Sequence, residues 1–518
     1  MKRKAGVVLP LFSIRTRRDW GIGQITDLPA CAAWIRRAGH TLLQVLPPHE
    51  LSAGETSPYG ALTAFGLDPI YADIEAIEDL DAHAIAQALG EEGRGALEKA
   101  RAAERVDYAG VRALKTRALH AAFERFYERE WSNETPRARR LADFRRRESA
   151  WLDDMTLYAV IRASHGGWGW ATWPQGERDR LPMAIDQART NHATRILEEA
   201  YVQWTLLDQW EGAHARMREL GVELMGDLPF VVCAESADVW SNASQFQQHV
   251  TLGAPPDDFS AEGQDWGLPP YDWLAMEADD LAWVRGRARH AARLYDRFRL
   301  DHVVGYFRQW VRGADPSDRG RFDPEGVEAQ RVRGRRVLGA VITELARARG
   351  TVEPPRAIAE DLGVVPPFVR ETLRELGMPG YRVLPWEKDD GLLRDASRFP
   401  KESVASWSTH DTAPIDEWWD QLPEQDRVQF TERANVRGAE GRSLALLGYL
   451  YRSRSDLALV LVQELLGAHG RINTPATVGE QNWSWRLPQP VEDLEGDPQV
   501  AARLEAIRVL VGQSGRHP

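Results

Sequence analysis

Three short segments each set a carboxylate at or just past the end of an apolar run: Arg299-Leu300-Asp301-His302, Ile358-Ala359-Glu360-Asp361-Leu362-Gly363 and Trp407-Ser408-Thr409-His410-Asp411-Thr412. One such acid alone reads more simply as a helix cap or an arginine partner. Three together supply what cleavage of a glycosidic bond requires. The departing oxygen needs a protonated acid, and the opposite face of the sugar needs a carboxylate nucleophile, roughly 5–5.5 Å away in a retaining site. A third carboxylate can hydrogen-bond sugar hydroxyls and stabilise the cation-like transition state. Alternation along an extended strand puts Arg299 on the same side as Asp301, where its charge would keep the nucleophile ionised. Glu360 needs the reverse, a proton retained by partial burial and acidic neighbours.

Parallel strands buried on both faces read as continuous apolar runs, with helices between them. Eight runs are candidates: 6–13, 41–46, 222–227, 297–302, 356–360, 380–385, 403–409 and 471–474. Amphipathic stretches separate them, among them 28–38, one carrying Val327, Val337, Leu338, Val341, Ile342 and Leu345, and a third over 444–466. Eight strands alternating with helices predict an α/β fold, a (β/α)8 TIM barrel, with the acids after its fourth, fifth and seventh strands. The spacing is uneven. A helical insertion is expected over about 72–220, where Val111, Leu114, Ala118, Leu119, Ala122 and Phe126 share one helical face. Its basic stretch, 137–147, reads as a solvated helix face, and the insertion as a brace for the barrel. A second insertion, about 230–294, is expected to form loops covering a cleft. The organisation predicted is one catalytic unit over 1–518, with no internal repeat or flexible linker.

The bulk composition narrows the partners. With 65 Lys+Arg against 77 Asp+Glu the formal net charge is -12. Such a surface repels phosphate backbones, so nucleic acid is not an expected partner. A neutral sugar is indifferent to that charge. The 20 tryptophans include Trp168, Trp170, Trp173, Trp266, Trp483 and Trp485 in polar, Gly/Pro-rich surroundings. Most tryptophans belong to a core, but flat rings beside polar groups also suit the C–H faces and hydroxyls of sugars. The two cysteines, Cys31 and Cys233, read as thiols in a reducing compartment. The apolar run after the basic N-terminus breaks at Pro10, and no stretch approaches the ~20 apolar residues of a membrane span. A cytoplasmic protein with no membrane partner is expected. Gly21-Ile22-Gly23 lacks the rest of a dinucleotide fingerprint, and neither a Walker lysine motif nor a zinc spacing among the 13 histidines occurs. No cofactor and no metal are expected.

In its ordered motifs the chain resembles the 4-α-glucanotransferase (amylomaltase, or disproportionating enzyme) family, relatives of the α-amylase superfamily. Ser57-Pro58-Tyr59-Gly60 is similar to that family's tyrosine loop, and Gly226-Asp227-Leu228-Pro229-Phe230 with Ser236-Ala237-Asp238-Val239-Trp240 to its third-strand region. Gly253-Ala254-Pro255-Pro256-Asp257 and Gly263-Gln264-Asp265-Trp266-Gly267 resemble the loop over the cleft. Arg471-Ile472-Asn473-Thr474-Pro475 and Asn482-Trp483-Ser484-Trp485-Arg486 resemble the C-terminal signature. The resemblance implies Asp301 as nucleophile, Glu360 as general acid/base and Asp411 as transition-state stabiliser. It implies Tyr59, Trp266, Arg299, His302, His410, Asn473, Gln264 and Asp361 as substrate contacts. Asp227 reads either as a sugar ligand or as a structural hydrogen bond at its strand end. The implied activity moves α-1,4-glucan segments between maltodextrins, with glucose or short maltodextrins as acceptors. An α-amylase-type hydrolase with the same acids and a glucan-binding protein without catalysis are the alternatives. Leu268 stands where the family carries Asn, and Glu235 and Thr56 where it commonly carries Asp, departures that fall on the acceptor side.

Overall fold

The computed structural model describes residues 3–256, 263–313, 315, 318–349, 357–438, 441–475 and 477–516. Asp257 and Arg356, which fall in two of the sequence motifs and runs above, lie outside these residues. Eight parallel strands close into a barrel: β1 Lys4–Val8, β2 Leu42–Gln44, β3 Glu223–Leu228, β4 Arg297–Leu300, β5 Ala357–Ala359, β6 Gly380–Val383, β7 Ser403–Ser406 and β8 Leu457–Leu461. The order around the barrel follows the chain, and β8 pairs with β1 over the whole of both, from Lys4 opposite Leu457 to Val8 opposite Leu461. The (β/α)8 expectation therefore holds.

The eighth strand is not where the sequence suggested. Residues 471–474 form no strand; they sit in the loop region after the barrel closes. The strand is Leu457–Leu461, inside the stretch 444–466 that reads as one helix. All five residues are buried, so the run has no polar face to reveal its period. The break before it was visible: Ser453, Ser455 and Asp456 are polar positions that end the preceding helix.

The long helices are α1 Leu28–Arg37, α2 Ala82–Ala102, α3 Tyr108–Arg129, α4 Pro136–Ser164, α5 Ala193–Glu219, α6 Ala282–Leu294, α7 Val327–Arg349, α8 Pro367–Glu375, α9 Arg442–Arg452 and α10 Pro498–Gln513. Four of these, α2 to α5, fall within 72–220, and the apolar face from Val111 to Phe126 is buried as its spacing predicts. Their starts are chemically marked. Asp81, Asp107 and Thr135 accept from the backbone N–H of Ala84, Gly110 and Ala138, each cap contributing about 1 kcal/mol. The helix α5 leads directly into β3 and packs on α1 and α3, while α6 packs on α7 and on β3. The basic stretch is not uniformly solvated. Arg137 turns inward to Asp79 at 2.6 Å and lies over the rings of Phe126 and Trp204. Among the described residues no helix is long and apolar enough to cross a membrane.

A second sheet stands over the barrel mouth. Its antiparallel order is Gln264–Leu268, Val250–Ala254, Gln309–Gly313, Arg321–Asp323. The strands 250–254 and 264–268 fall within 230–294, where the sequence predicts cleft-covering loops, because five-residue runs interrupted by Gly253 and Gly267 carry little period. The strand 250–254 approaches 264–268 so closely that a Cβ on Gly253 would lie 1.9 Å from the Gln264 carbonyl oxygen. Only glycine fits there.

The base of the barrel is tied by Arg516, with Arg3 donating to two of the same carbonyls. Arg516, fully buried, donates to the carbonyls of Lys4, Tyr451, Ser453, Ser455 and Asp456, bridging the approaches to β1 and β8. Replacing it strands buried acceptors, each costing roughly 1–3 kcal/mol where water does not reach it. Arg516→Ala is expected to lower the thermal unfolding midpoint by several degrees, read by calorimetry, while an Arg508→Ala control on the exposed face of α10 leaves it unchanged.

Candidate active site

The register of β3 and β4 puts Asp227 directly beside Arg299. Both side chains therefore point to the same side, into the barrel. Arg299 Nη1 donates to both Asp227 oxygens, at 2.9 and 2.7 Å, and Nη2 to Asp301 Oδ1 at 2.9 Å. Asp227 is wholly inaccessible and Arg299 nearly so. Removing either would leave an uncompensated buried charge. Burial alone would lower the Arg299 pKa; Asp227 and Asp301 outweigh it and hold the guanidinium charged. Tyr59 extends the array, its hydroxyl donating to Asp227 Oδ2 at 2.9 Å and lying 3.0 Å from His410 Nε2.

Glu360 follows β5 and is gripped by the backbone. His302 N–H donates to Oε2 at 2.8 Å and Leu362 N–H to Oε1 at 3.0 Å. His302 reaches this position with a left-handed backbone, φ 42, unusual for a residue other than glycine. Its amide thus holds Glu360 one residue away from Asp301. Burial pushes the Glu360 carboxyl up to about 7, assisted by the negative charge of Asp301 and opposed by Arg299 and the two amides. It retains its proton at neutral pH far better than an ordinary glutamic acid.

Asp411, past β7, is treated in the opposite way. Burial disfavours its charge, but His410, Asn473 and Arg299 outweigh burial and hold its carboxyl well below the usual range. Asn473 Nδ2 donates to Oδ1 at 2.7 Å, and His410 Nε2 lies 3.2 Å from Oδ2. Arg471 fixes the main chain by donating to the Asp411 carbonyl at 2.7 Å. His410 is pulled down by burial and up, more strongly, by Asp411, so its imidazolium form is favoured. Two carboxyl groups in one site are pushed apart: Glu360 towards the acid, Asp411 towards the anion.

Aromatic surfaces bound this polar ring. Tyr59 stacks on His410 with ring centroids 5.6 Å apart, and Trp483 leans on both at 5.8 and 5.9 Å. Trp266, on the edge strand of the second sheet, meets His302 edge-on at 5.1 Å, and its Nε1 donates to Gln264 Oε1 at 3.0 Å. The far side of His302 faces Phe230.

Most of the residues singled out from sequence are thus joined in one contact network: Tyr59, Asp227, Arg299, Asp301, His302, Glu360, His410, Asp411 and Asn473, with Trp266 and Gln264 beside it. Asp361 is a departure. Its carboxylate is buried and occupied by Arg370, Arg382 and the Tyr381 N–H, so it anchors β6 rather than facing a ligand. Asp227 resolves toward the structural alternative, as the partner of Arg299 and Tyr59. Phe230 and the Leu362 amide were not singled out; nothing in their spacing marks them. Glu55, one residue before Thr56, accepts from the Thr56 and Ser57 amides and shapes the loop bearing Tyr59. Glu235 lies against Gly169, where a Cβ would meet its Oε2 at 1.9 Å.

The 4-alpha-glucanotransferase family model matches residues 9–492. The 4-alpha-glucanotransferase of Thermus thermophilus is 31% identical over 498 residues, covering 92% of each chain. That of Chlamydia pneumoniae is 28% identical, covering 95% of this chain and 92% of its own. In fold, the chain matches an amylomaltase from Streptococcus agalactiae, solved in complex with acarbose, with a TM-score of 0.84 at 23% identity over the whole of both chains. With its family model spanning nearly the full length and a relative at this identity, the chain belongs to the 4-alpha-glucanotransferase family.

Proposed function

We propose that the protein is a 4-α-glucanotransferase that moves α-1,4-glucan segments between maltodextrins by a retaining double displacement. Asp301 attacks the anomeric carbon while Glu360 protonates the departing glycosidic oxygen. The sugar–oxygen bond breaks, the departing chain leaves with that proton, and a β-linked glucosyl ester on Asp301 remains. Glu360, now a carboxylate, takes the proton from the 4-hydroxyl of an incoming glucan or of glucose, which displaces Asp301. Two inversions restore the α-configuration. The observation that carries this reading is the Glu360 carboxyl, buried and held by two amides beside the Asp301–Arg299 ion pair, with its pKa raised to about 7 by burial.

The other residues act on the same steps. Asp411, anchored by Asn473 and His410, stays anionic near the developing oxocarbenium charge and accepts sugar hydroxyls. Tyr59 and His302 offer polar edges and aromatic faces to the sugar. Trp266 and Gln264, on the sheet over the barrel mouth, shield the intermediate from water so that a sugar hydroxyl competes successfully. Arg299 balances Asp227 and Asp301 from below, a positioning role. The compartment implied is the cytoplasm, where free Cys31 and Cys233 remain reduced.

Two measurements test the reading. Incubated with maltotriose, the protein is expected to yield glucose together with maltopentaose and longer oligomers, separated by thin-layer chromatography. Glucose and maltose with no longer sugar would make it a hydrolase, and Asp301→Asn should remove either activity while leaving the fold intact. The second is pH dependence. The Glu360 pKa is raised, so the catalytically required proton is present below about 7 and lost above it. The value of kcat/KM should therefore fall on the alkaline side with a midpoint near 7. Glu360→Gln should lower kcat roughly 10²–10⁴-fold on maltotriose. On a glucoside with a strongly acidic leaving group, this variant should keep glucosyl-enzyme formation and lose the alkaline limb.

A further inference from the structure

A cavity of about 510 Å³ opens away from the catalytic residues, among α4, α6 and the short helix Ala237–Ser241. None of its lining residues belongs to the contact network around Asp301. Its volume is that of a small-molecule site, for which roughly 300–1,000 Å³ is usual. One wall is aromatic. Phe65 and Trp151 stack with centroids 6.1 Å apart and planes within 12°, Trp283 meets Phe65 edge-on, and His290 sits edge-on to both Phe65 and Trp151.

Most charged groups around the cavity are already partnered, and Asp279 accepts from the Gln245 amide. Glu148 accepts from Arg147, Arg293 and the Trp151 indole N–H. Asp238 accepts from the Ala64 amide and the Trp283 indole. Asp154 is paired with Arg180 and Arg289 with Glu344. Hydrogen-bonding capacity of the neutral kind remains: Gln245 keeps Oε1 buried without a partner among the described residues, and Ser241 and Asn242 line the same wall. An aromatic wall beside neutral amides and hydroxyls, with Asp238 and Asp279 as acceptors, suits a neutral polyhydroxylated chain, whose hydroxyls donate.

We propose that this cavity is a second saccharide site, holding a segment of α-glucan outside the catalytic cleft. The choice of glucan rests on the glucanotransferase reading. The site is joined to the cleft by one strip of chain. Residues 57–67 carry Tyr59 at the catalytic end and Thr63 and Phe65 at the cavity, clamped between by the Ala237 N–H to the Leu62 carbonyl and the Ala64 N–H to Asp238. A long donor held at both places is retained between transfers, whereas maltotriose is too short to span them.

The test uses full-length Asp301→Asn enzyme, which leaves glucan intact, titrated calorimetrically with maltoheptaose. Binding to two sites is expected. Two further substitutions probe the cavity separately. Trp151→Ala removes the aromatic wall and should weaken the second site roughly tenfold, the cost of one stacking partner. Gly286→Leu fills the cavity: a Cβ there meets only the Phe65 ring, at 3.8 Å, and the longer side chain occupies the remaining space. It should abolish the second site and leave the first unchanged. In the active background both should raise KM for long glucans several-fold and leave maltotriose kinetics as they were. A single site indifferent to both substitutions would overturn the second site while leaving the catalytic reading intact. No maltoheptaose bound at all would overturn the glucan reading itself.

Discussion

A single guanidinium, that of Arg299, has to serve two carboxylates at once, with further acids nearby. It lies against Asp227 and Asp301 in the closed interior of the barrel, and Glu360 and Asp411 feel its field. One cation cannot neutralise four anions. The site settles this shortage by giving each acid a different environment. Asp227 takes two of the guanidinium hydrogen bonds and the tyrosine proton. Asp411 is provided with a histidine and an amide of its own. Glu360 receives two backbone N–H groups but, among the described residues, no ion pair, and burial raises its pKa. The division of labour between acid and anion follows from where the positive charge is placed.

The barrel supplies the placement. Parallel pairing fixes neighbouring residues on one level, so Asp227 and Arg299 meet because β3 and β4 are in register at that point. The next levels up are loops, and there the geometry depends on local backbone. His302 adopts a left-handed conformation, and by doing so turns its amide toward Glu360. Asp411 is held by the chain segment that follows β8, which folds back across the mouth so that Asn473 reaches a strand end distant in sequence. The antiparallel sheet adds the remaining wall with Trp266.

How much of this was legible varied with the physics of each part. Seven barrel strands were visible as apolar runs because burial on both faces leaves a strong compositional trace. The eighth was hidden for the same reason: Leu457–Leu461 is apolar throughout and continues the pattern of the helices on either side. The second sheet left little trace, since its strands are only three to five residues long and mix polar with apolar positions. At the site, acids following strand ends could be found by spacing, and their convergence follows from a barrel. The outward turn of Asp361 could not be found, because Glu360 and Asp361 are adjacent acids and only the packing of Arg370 and Arg382 decides which one faces inward. Arg137 shows the same limit, a member of a basic run that leaves its neighbours to pair with Asp79.

The closure of β1 against β8 has a consequence for how the chain is made. The strand Lys4–Val8 is translated some 450 residues before its partner Leu457–Leu461. Throughout that interval β1 can pair with β2 on one edge only, and an apolar strand with an open edge is a template for the wrong neighbour. The helices synthesised in between, among them α2 to α5, can form local contacts early. The barrel itself is completed late, by one long-range pairing. Until Leu457–Leu461 follows, the nascent chain therefore carries β1 with one edge unpaired.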